Sequence, residues 1–205
     1  MKIFLIGGGE ITKSETLKID QEMIKESGGK NARILFFPTA AADSDGYIKN
    51  FTEYYSSLGC NNIQYAKLSE ESLVKIKKKI DQASLIYLGG GSTELLIDSF
   101  KKKNLISILK DYLNKGGVLA GMSAGAIALG EVSILSEIED DLKFGEGFGF
   151  LPKIICLPHY EKKHKEKLNQ IKKQFIKKIV FALPEKTGIY FKGKLIKYYG
   201  KVLQM

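Results

Sequence analysis

Short apolar runs alternate along this chain with longer segments whose apolar residues recur every three or four positions. Residues 2–6, 34–37, 63–68, 85–88 and 118–120 are runs of strand length, too short for free helices. Most end at turn formers: Gly7-Gly8-Gly9, Pro38-Thr39 and Gly89-Gly90-Gly91. Between them, Phe51, Tyr54, Tyr55 and Leu58 share one helical face, as do Leu73, Ile76 and Ile80. Leu95, Leu96 and Phe100 begin a further helical pattern, continued by Ile106, Leu109 and Leu113 before Gly116-Gly117. Farther on, 154–157 and 179–183 read as strands, and 161–178 as a helix with Leu168, Ile171 and Phe175 on one face. Residues 189–191 and 195–199, joined by Lys192-Gly193-Lys194, read as a closing β-hairpin. The acidic, glycine-rich stretch 137–150 reads as a loop. Alternating strands and helices predict an α/β fold, a single domain over 1–205. Its architecture is a three-layer sandwich, a mostly parallel central sheet with helices on both faces and the hairpin at its C-terminal end.

Open parallel sheets place ligands beyond the carboxyl ends of their strands, so the strand ends are where chemistry is expected. Gly121-Met122-Ser123-Ala124-Gly125 fits G-x-S-x-G, and it follows strand 118–120 and precedes the helix-prone 126–129. A serine on such a turn is lifted clear of the sheet, and the glycines allow the cramped backbone. The Ala124 N–H then faces a developing oxyanion at a helix start. A serine nucleophile needs a base, and the chain has two histidines. His159 follows strand 154–157 and Pro158, level with Ser123, whereas His164 lies in the charged run Glu161-Lys162-Lys163-His164-Lys165, a solvated helix start. His159 is the candidate base. The acid that would orient it stays open on spacing alone. Glu185 follows strand 179–183 and Pro184, Glu161 lies two residues past His159, and Glu139, Asp140 and Asp141 lie between serine and histidine.

Gly89-Gly90-Gly91-Ser92-Thr93 also joins a strand to a helix. It lacks the G-K-[ST] ending of a phosphate loop, and Glu94 at the helix start disfavours phosphate. A second oxyanion donor, the Gly91 N–H, fits it better. Gly9, Glu10, Ser92 and Tyr160 flank these loops and are candidate substrate contacts. Cys156, inside an apolar strand, reads as inert packing rather than a nucleophile.

Composition narrows the partners. The chain has 205 residues, 44% hydrophobic and 27% charged, which excludes a collagen, a mucin-like stalk, a disulfide scaffold and a disordered chain. Net charge is +9, from 32 basic and 23 acidic residues, yet Arg33 is the only arginine. Bidentate readers of guanine and phosphate favour arginine, and the lysines of 161–178 are interleaved with no stacking aromatic except Phe175 on the apolar face. A solubilising surface is expected, with no nucleic acid. Cys60, Cys156 and the two histidines are not spaced as a zinc site, so no metal or cofactor is expected. No apolar run approaches the roughly 20 residues of a membrane span, and the apolar start 3–6 is too short for a signal peptide. A cytoplasmic location without a membrane partner follows as the expectation.

Four of these segments, taken in order, resemble the S51 family of serine peptidases, which includes aspartyl dipeptidase (peptidase E) and cyanophycinase. They are Leu88-Gly89-Gly90-Gly91-Ser92-Thr93, Gly121-Met122-Ser123-Ala124-Gly125-Ala126, Leu157-Pro158-His159-Tyr160 and Leu183-Pro184-Glu185. The resemblance runs from about Lys2 to Lys194. It implies a fold like that of class I glutamine amidotransferases, for which a homodimer is common. It also implies a Ser123–His159–Glu185 triad, with Gly91 and Ala124 as oxyanion hole, and a small peptide as substrate. The chain departs from similar aspartyl dipeptidases at Ser92, where they often carry asparagine, and at Lys186, where they often carry glycine. An aspartyl side chain would need a cationic contact, which only lysines and Arg33 could supply. Rival readings on the same residues are a non-catalytic binding protein and an esterase or acyl hydrolase.

Overall fold

The computed structural model describes residues 1–138 and 141–205. Its strands are β1 (Lys2–Ile6), β2 (Arg33–Phe37), β3 (Asn62–Tyr65), β4 (Leu85–Leu88), β5 (Val118–Met122), β6 (Gly130–Ile138), β7 (Asp141–Glu146), β8 (Leu151–Leu157), β9 (Ile179–Ala182), β10 (Gly188–Lys192), β11 (Leu195–Tyr199) and β12 (Leu203–Gln204). Its α-helices are α1 (Leu17–Glu26), α2 (Asp45–Ser57), α3 (Leu73–Gln82), α4 (Thr93–Lys102), α5 (Leu105–Asn114), α6 (Ala124–Leu129) and α7 (Lys165–Gln174).

A seven-stranded sheet has the order β11-β10-β1-β5-β4-β2-β3. Its β1, β5, β4, β2 and β3 run parallel, and β10 and β11 form the antiparallel hairpin expected at the C-terminal end. Both faces of its central strands β1, β2, β4 and β5 are dry, which is why these strands are apolar without alternation. Ile3, Leu5, Leu35, Phe37, Ile86 and Leu88 pack on one side with residues of α3, α4 and α5. Their neighbours Phe4, Ile6, Ile34, Phe36, Leu85 and Tyr87 pack on the other with residues of α1 and α2. The α/β class with helices on both faces is therefore as the sequence predicts. Serines set the helix starts: Ser44, Ser72 and Ser92 accept the N–H groups of Tyr47, Lys75 and Leu95.

A second sheet, order β12-β9-β8-β6-β7, adds detail that the sequence reading did not separate from the first. Its core joins Ile155, Leu157, Val180 and Ala182 to Leu168 and Ile171 of α7. The expected loop 137–150 is corrected here. Residues 141–146 form β7, antiparallel to β6, with Phe144 opposite Ile134. Leu142 and Phe144 alternate inward in this strand, a period-two signal masked by the neighbouring acids and glycines. The helix expected over 161–178 is shorter, with a 3-10 turn at Lys162–His164 before α7. Helix α1 goes beyond the elements read from the sequence, with Ile19, Met23 and Ile24 on its buried face.

Candidate active site

Three strand ends from the two sheets meet at one point. Ser123 joins β5 to α6 with φ 52° and ψ −114°. The two flanking glycines make that turn sterically feasible: a Cβ at Gly121 would lie 2.4 Å from the Gly125 backbone, and one at Gly125 2.3 Å from the Leu88 carbonyl oxygen. His159 follows β8 and Glu185 follows β9. His159 Nε2 lies 2.7 Å from Ser123 Oγ, and His159 Nδ1 is hydrogen-bonded to Glu185 Oε1. A carboxylate can only accept, so Nδ1 carries the proton. Nε2 is then left as the acceptor for the Ser123 hydroxyl.

The end of β1 holds these loops together. The Ile6 carbonyl accepts the Ser123 N–H at 3.0 Å, the Gly7 carbonyl the His159 N–H at 2.9 Å, and the Gly8 carbonyl the Lys186 N–H at 2.9 Å. Three consecutive carbonyls thus take one amide from each functional loop. Gly8 also packs against the paired side chains themselves. A Cβ there would lie 2.4 Å from Glu185 Oε2 and 2.6 Å from His159 Nδ1. Ser123, His159 and Lys186 all have left-handed φ, 52°, 52° and 65°, and such non-glycine residues cost about 1–3 kcal/mol each. The surrounding carbonyl bonds hold them there.

The Gly89–Gly91 loop lies beside the serine. A Cβ on Gly90 would sit 3.2 Å from Ser123 Cβ. Its N–H donates to the Tyr47 hydroxyl at 3.3 Å, and the Ser92 N–H donates to the Ala40 carbonyl at 2.7 Å. Between them, the Gly91 N–H has no acceptor among the described residues. Tyr47 was not singled out from sequence. Burial pushes its hydroxyl pKa up, so it stays protonated beside the glycine loop.

The remaining candidates occupy varied places. Ser92 caps α4 through Leu95. Gly9 faces Thr16, while its neighbour Gly8 faces the histidine. Glu10 pairs with Lys13 at 2.6 Å, and its N–H donates to Glu15, which pairs with Lys186 at 2.7 Å. Tyr160 is half-buried against the core of the second sheet, its ring 6.3 Å from that of His164. Glu161 and His164 form a reciprocal capping box at the 3-10 turn, so that glutamate is engaged away from His159. Glu139 and Asp140 lie outside the described residues, as does the side chain of Asp141. Cys156 is fully buried and burial raises its thiol pKa far above the ordinary value, which suits packing. Among the described residues no group of His, Cys, Asp or Glu is arranged to hold a metal, and no helix is long and apolar enough to cross a membrane.

The sequence matches Peptidase family S51 over residues 3–198. The chain belongs to that family. It is 34% identical to the uncharacterized peptidase YgaJ of Bacillus subtilis, over 76% of this chain and 66% of that protein. It is 24% identical to peptidase E of Haemophilus influenzae, over 88% of this chain and 85% of that one. The crystal structure of a peptidase from an acI-B1 actinobacterium superposes with a TM-score of 0.75 at 20% identity, covering 100% of this chain and 93% of that one, and shows the shared fold. Membership of family S51 supports a peptidase function.

Proposed function

We propose that this chain is a serine peptidase that hydrolyses short peptides or related amides through an acyl-enzyme. Ser123 attacks the scissile carbonyl as His159 Nε2 takes its proton. Glu185 stabilises the imidazolium that forms, and the Gly91 and Ala124 amides receive the oxyanion. His159 then protonates the leaving amine, and water, deprotonated by the same nitrogen, releases the acid product. The observation that carries this reading is the unbroken hydrogen-bonded chain Ser123–His159–Glu185. Both His159 and Glu185 are about half exposed, with side chains at 49%, so a small substrate reaches them directly. The rim of Glu10, Lys13, Glu15 and Lys186 carries both signs of charge, suited to a peptide with free amino and carboxyl ends.

The test is turnover of a dipeptide panel, with matched esters assayed beside it. Ser123→Ala is expected to fold normally and lose at least about 10⁴-fold in kcat. Wild-type turnover in that variant would end the assignment, and cleavage of the esters with no cleavage of any dipeptide would favour an acyl hydrolase.

A further inference from the structure

The glycine loop beside Ser123 is held one amide at a time. The Gly89 N–H donates to the Phe37 carbonyl at 3.0 Å, the Gly90 N–H to the Tyr47 hydroxyl at 3.3 Å and the Ser92 N–H to the Ala40 carbonyl at 2.7 Å. Of these four consecutive amides, that of Gly91 alone is unmet among the described residues. A run of glycines has no side chains to restrict its rotation, so the direction of the free amide is set by the held amides on either side of it. The two carbonyl acceptors are main chain and would be present whatever the sequence. Tyr47 is the one side chain among the three anchors. Its place is fixed from α2. Its N–H donates to the Ser44 hydroxyl at 3.4 Å, and its ring meets Phe36 edge-on at 4.9 Å, where Phe36 is itself stacked on Phe51 at 4.0 Å. A Cβ on Gly89 would lie 2.9 Å from Tyr47 Cε1, so the ring rests on bare backbone there and its hydroxyl reaches the next residue. That residue, Gly90, is the one whose Cβ would fall 3.2 Å from Ser123 Cβ.

We propose that Tyr47 is a positioning residue for the oxyanion hole: by accepting the Gly90 N–H, it keeps the neighbouring Gly91 N–H aimed at the oxygen that becomes negative when Ser123 attacks. This rests on Ser123 being the nucleophile and Gly91 an oxyanion donor. Tyr47 acts only through the glycine loop. An oxyanion donor stabilises charge that develops in the transition state, so Tyr47 governs the rate of attack and leaves the affinity for the unreacted ligand alone. Removing such a donor outright costs about 10²–10³ in rate. A donor that stays in place but is less well aimed costs less, about tenfold. Tyr54 supplies the contrast. It lies seven residues further along the same helix, and its hydroxyl donates to the buried Asp20 carboxylate at 2.7 Å, which ties α2 to α1. Losing that hydroxyl loosens the helix without releasing the loop.

The test is the rate at which a fluorophosphonate labels Ser123, resolved into reversible affinity, KI, and limiting rate, kinact. It compares the wild type with Tyr47→Phe and Tyr54→Phe, each held well below its unfolding temperature. The probe places its phosphoryl oxygen in the oxyanion hole and needs no known substrate. Tyr47→Phe keeps the ring and removes only the acceptor. Its kinact is expected to fall about tenfold with KI unchanged, whereas Tyr54→Phe should lose stability and keep the wild-type kinact. Wild-type kinact in Tyr47→Phe, a change confined to KI, or an equal fall of kinact in Tyr54→Phe overturns the proposal and leaves the role of Ser123 standing. No label on Ser123 in the wild type overturns that role and this proposal with it.

Discussion

The two sheets contribute unequal parts to one site. The seven-stranded sheet supplies the serine from the end of β5, and the five-stranded sheet supplies the histidine from the end of β8. Glu185 lies on the segment that crosses from β9 in one sheet to β10 in the other. Neither sheet holds the site alone. Its geometry depends on how the sheets are fixed to each other, and at the end of β1 the Gly7 and Gly8 carbonyls hold the loops after β8 and β9 beside the Ser123 turn that the Ile6 carbonyl holds within the first sheet. The nucleophile's turn is set by steric fit and pairing within the first sheet, whereas the base and acid are set by contacts with residues more than 150 positions away in sequence.

That contrast is sharpened first at Glu185. Glu185→Gln keeps the side chain's size but removes the charge that stabilises imidazolium, and it permits the wrong tautomer. A fall in kcat of about 10²–10⁴-fold is expected with the melting temperature nearly unchanged; near-wild-type kcat would show that another acid acts on His159. A smaller loss is expected from Gly8→Ala. The new methyl would press on Glu185 and His159, and displacements on the order of 1 Å cost about 10²-fold in rate. Overpacking there should also lower stability by about 1–3 kcal/mol. A variant with unchanged kcat would show that the close approach at Gly8 does not position the pair.

The smallest effect on activity is expected far from the junction. Glu26 ties α1 to β1 and β10 through Lys2 at 3.2 Å and Lys192 at 2.9 Å. Burial works to raise its pKa, but the contacts from Lys192 and Lys2 outweigh it and hold the carboxyl at about 2 against an ordinary 4.5. A depressed folded pKa gives stability that is complete above the ordinary value and lost as pH falls toward about 2. Glu26→Gln should therefore cost about 1–3 kcal/mol in urea unfolding at pH 7. The gap should narrow through pH 4 and 3 and leave kcat unchanged at neutral pH. A pH-independent gap would remove the ion-pair explanation.

Much of the first sheet was legible because β1, β2 and β4 are dry on both faces and end in glycine or proline. β1 and β4 coincide with their apolar runs, and the serine's turn follows from a five-residue motif with a strand before it. The second sheet was harder. Its β6–β7 pair carries acids and glycines, so Leu142 and Phe144 stood out too little to mark a strand. Within the site, Gly9 and Glu10 drew attention while Gly8 makes the contact, because which glycine of Gly7-Gly8-Gly9 meets the histidine depends on pairing across the sheets. Tyr47 carried no local signal either; only the packing of α2 over β2 brings its hydroxyl to Gly90. The engagement of Glu161 with His164 is a local capping pattern that could have been read from their spacing of three.

The most direct measurement is active-site labelling of the native protein with a fluorophosphonate, followed by peptide mass mapping. The account predicts a single adduct on Ser123 that is absent in His159→Ala. No adduct on the folded wild-type protein, or an adduct on a different residue, would contradict it.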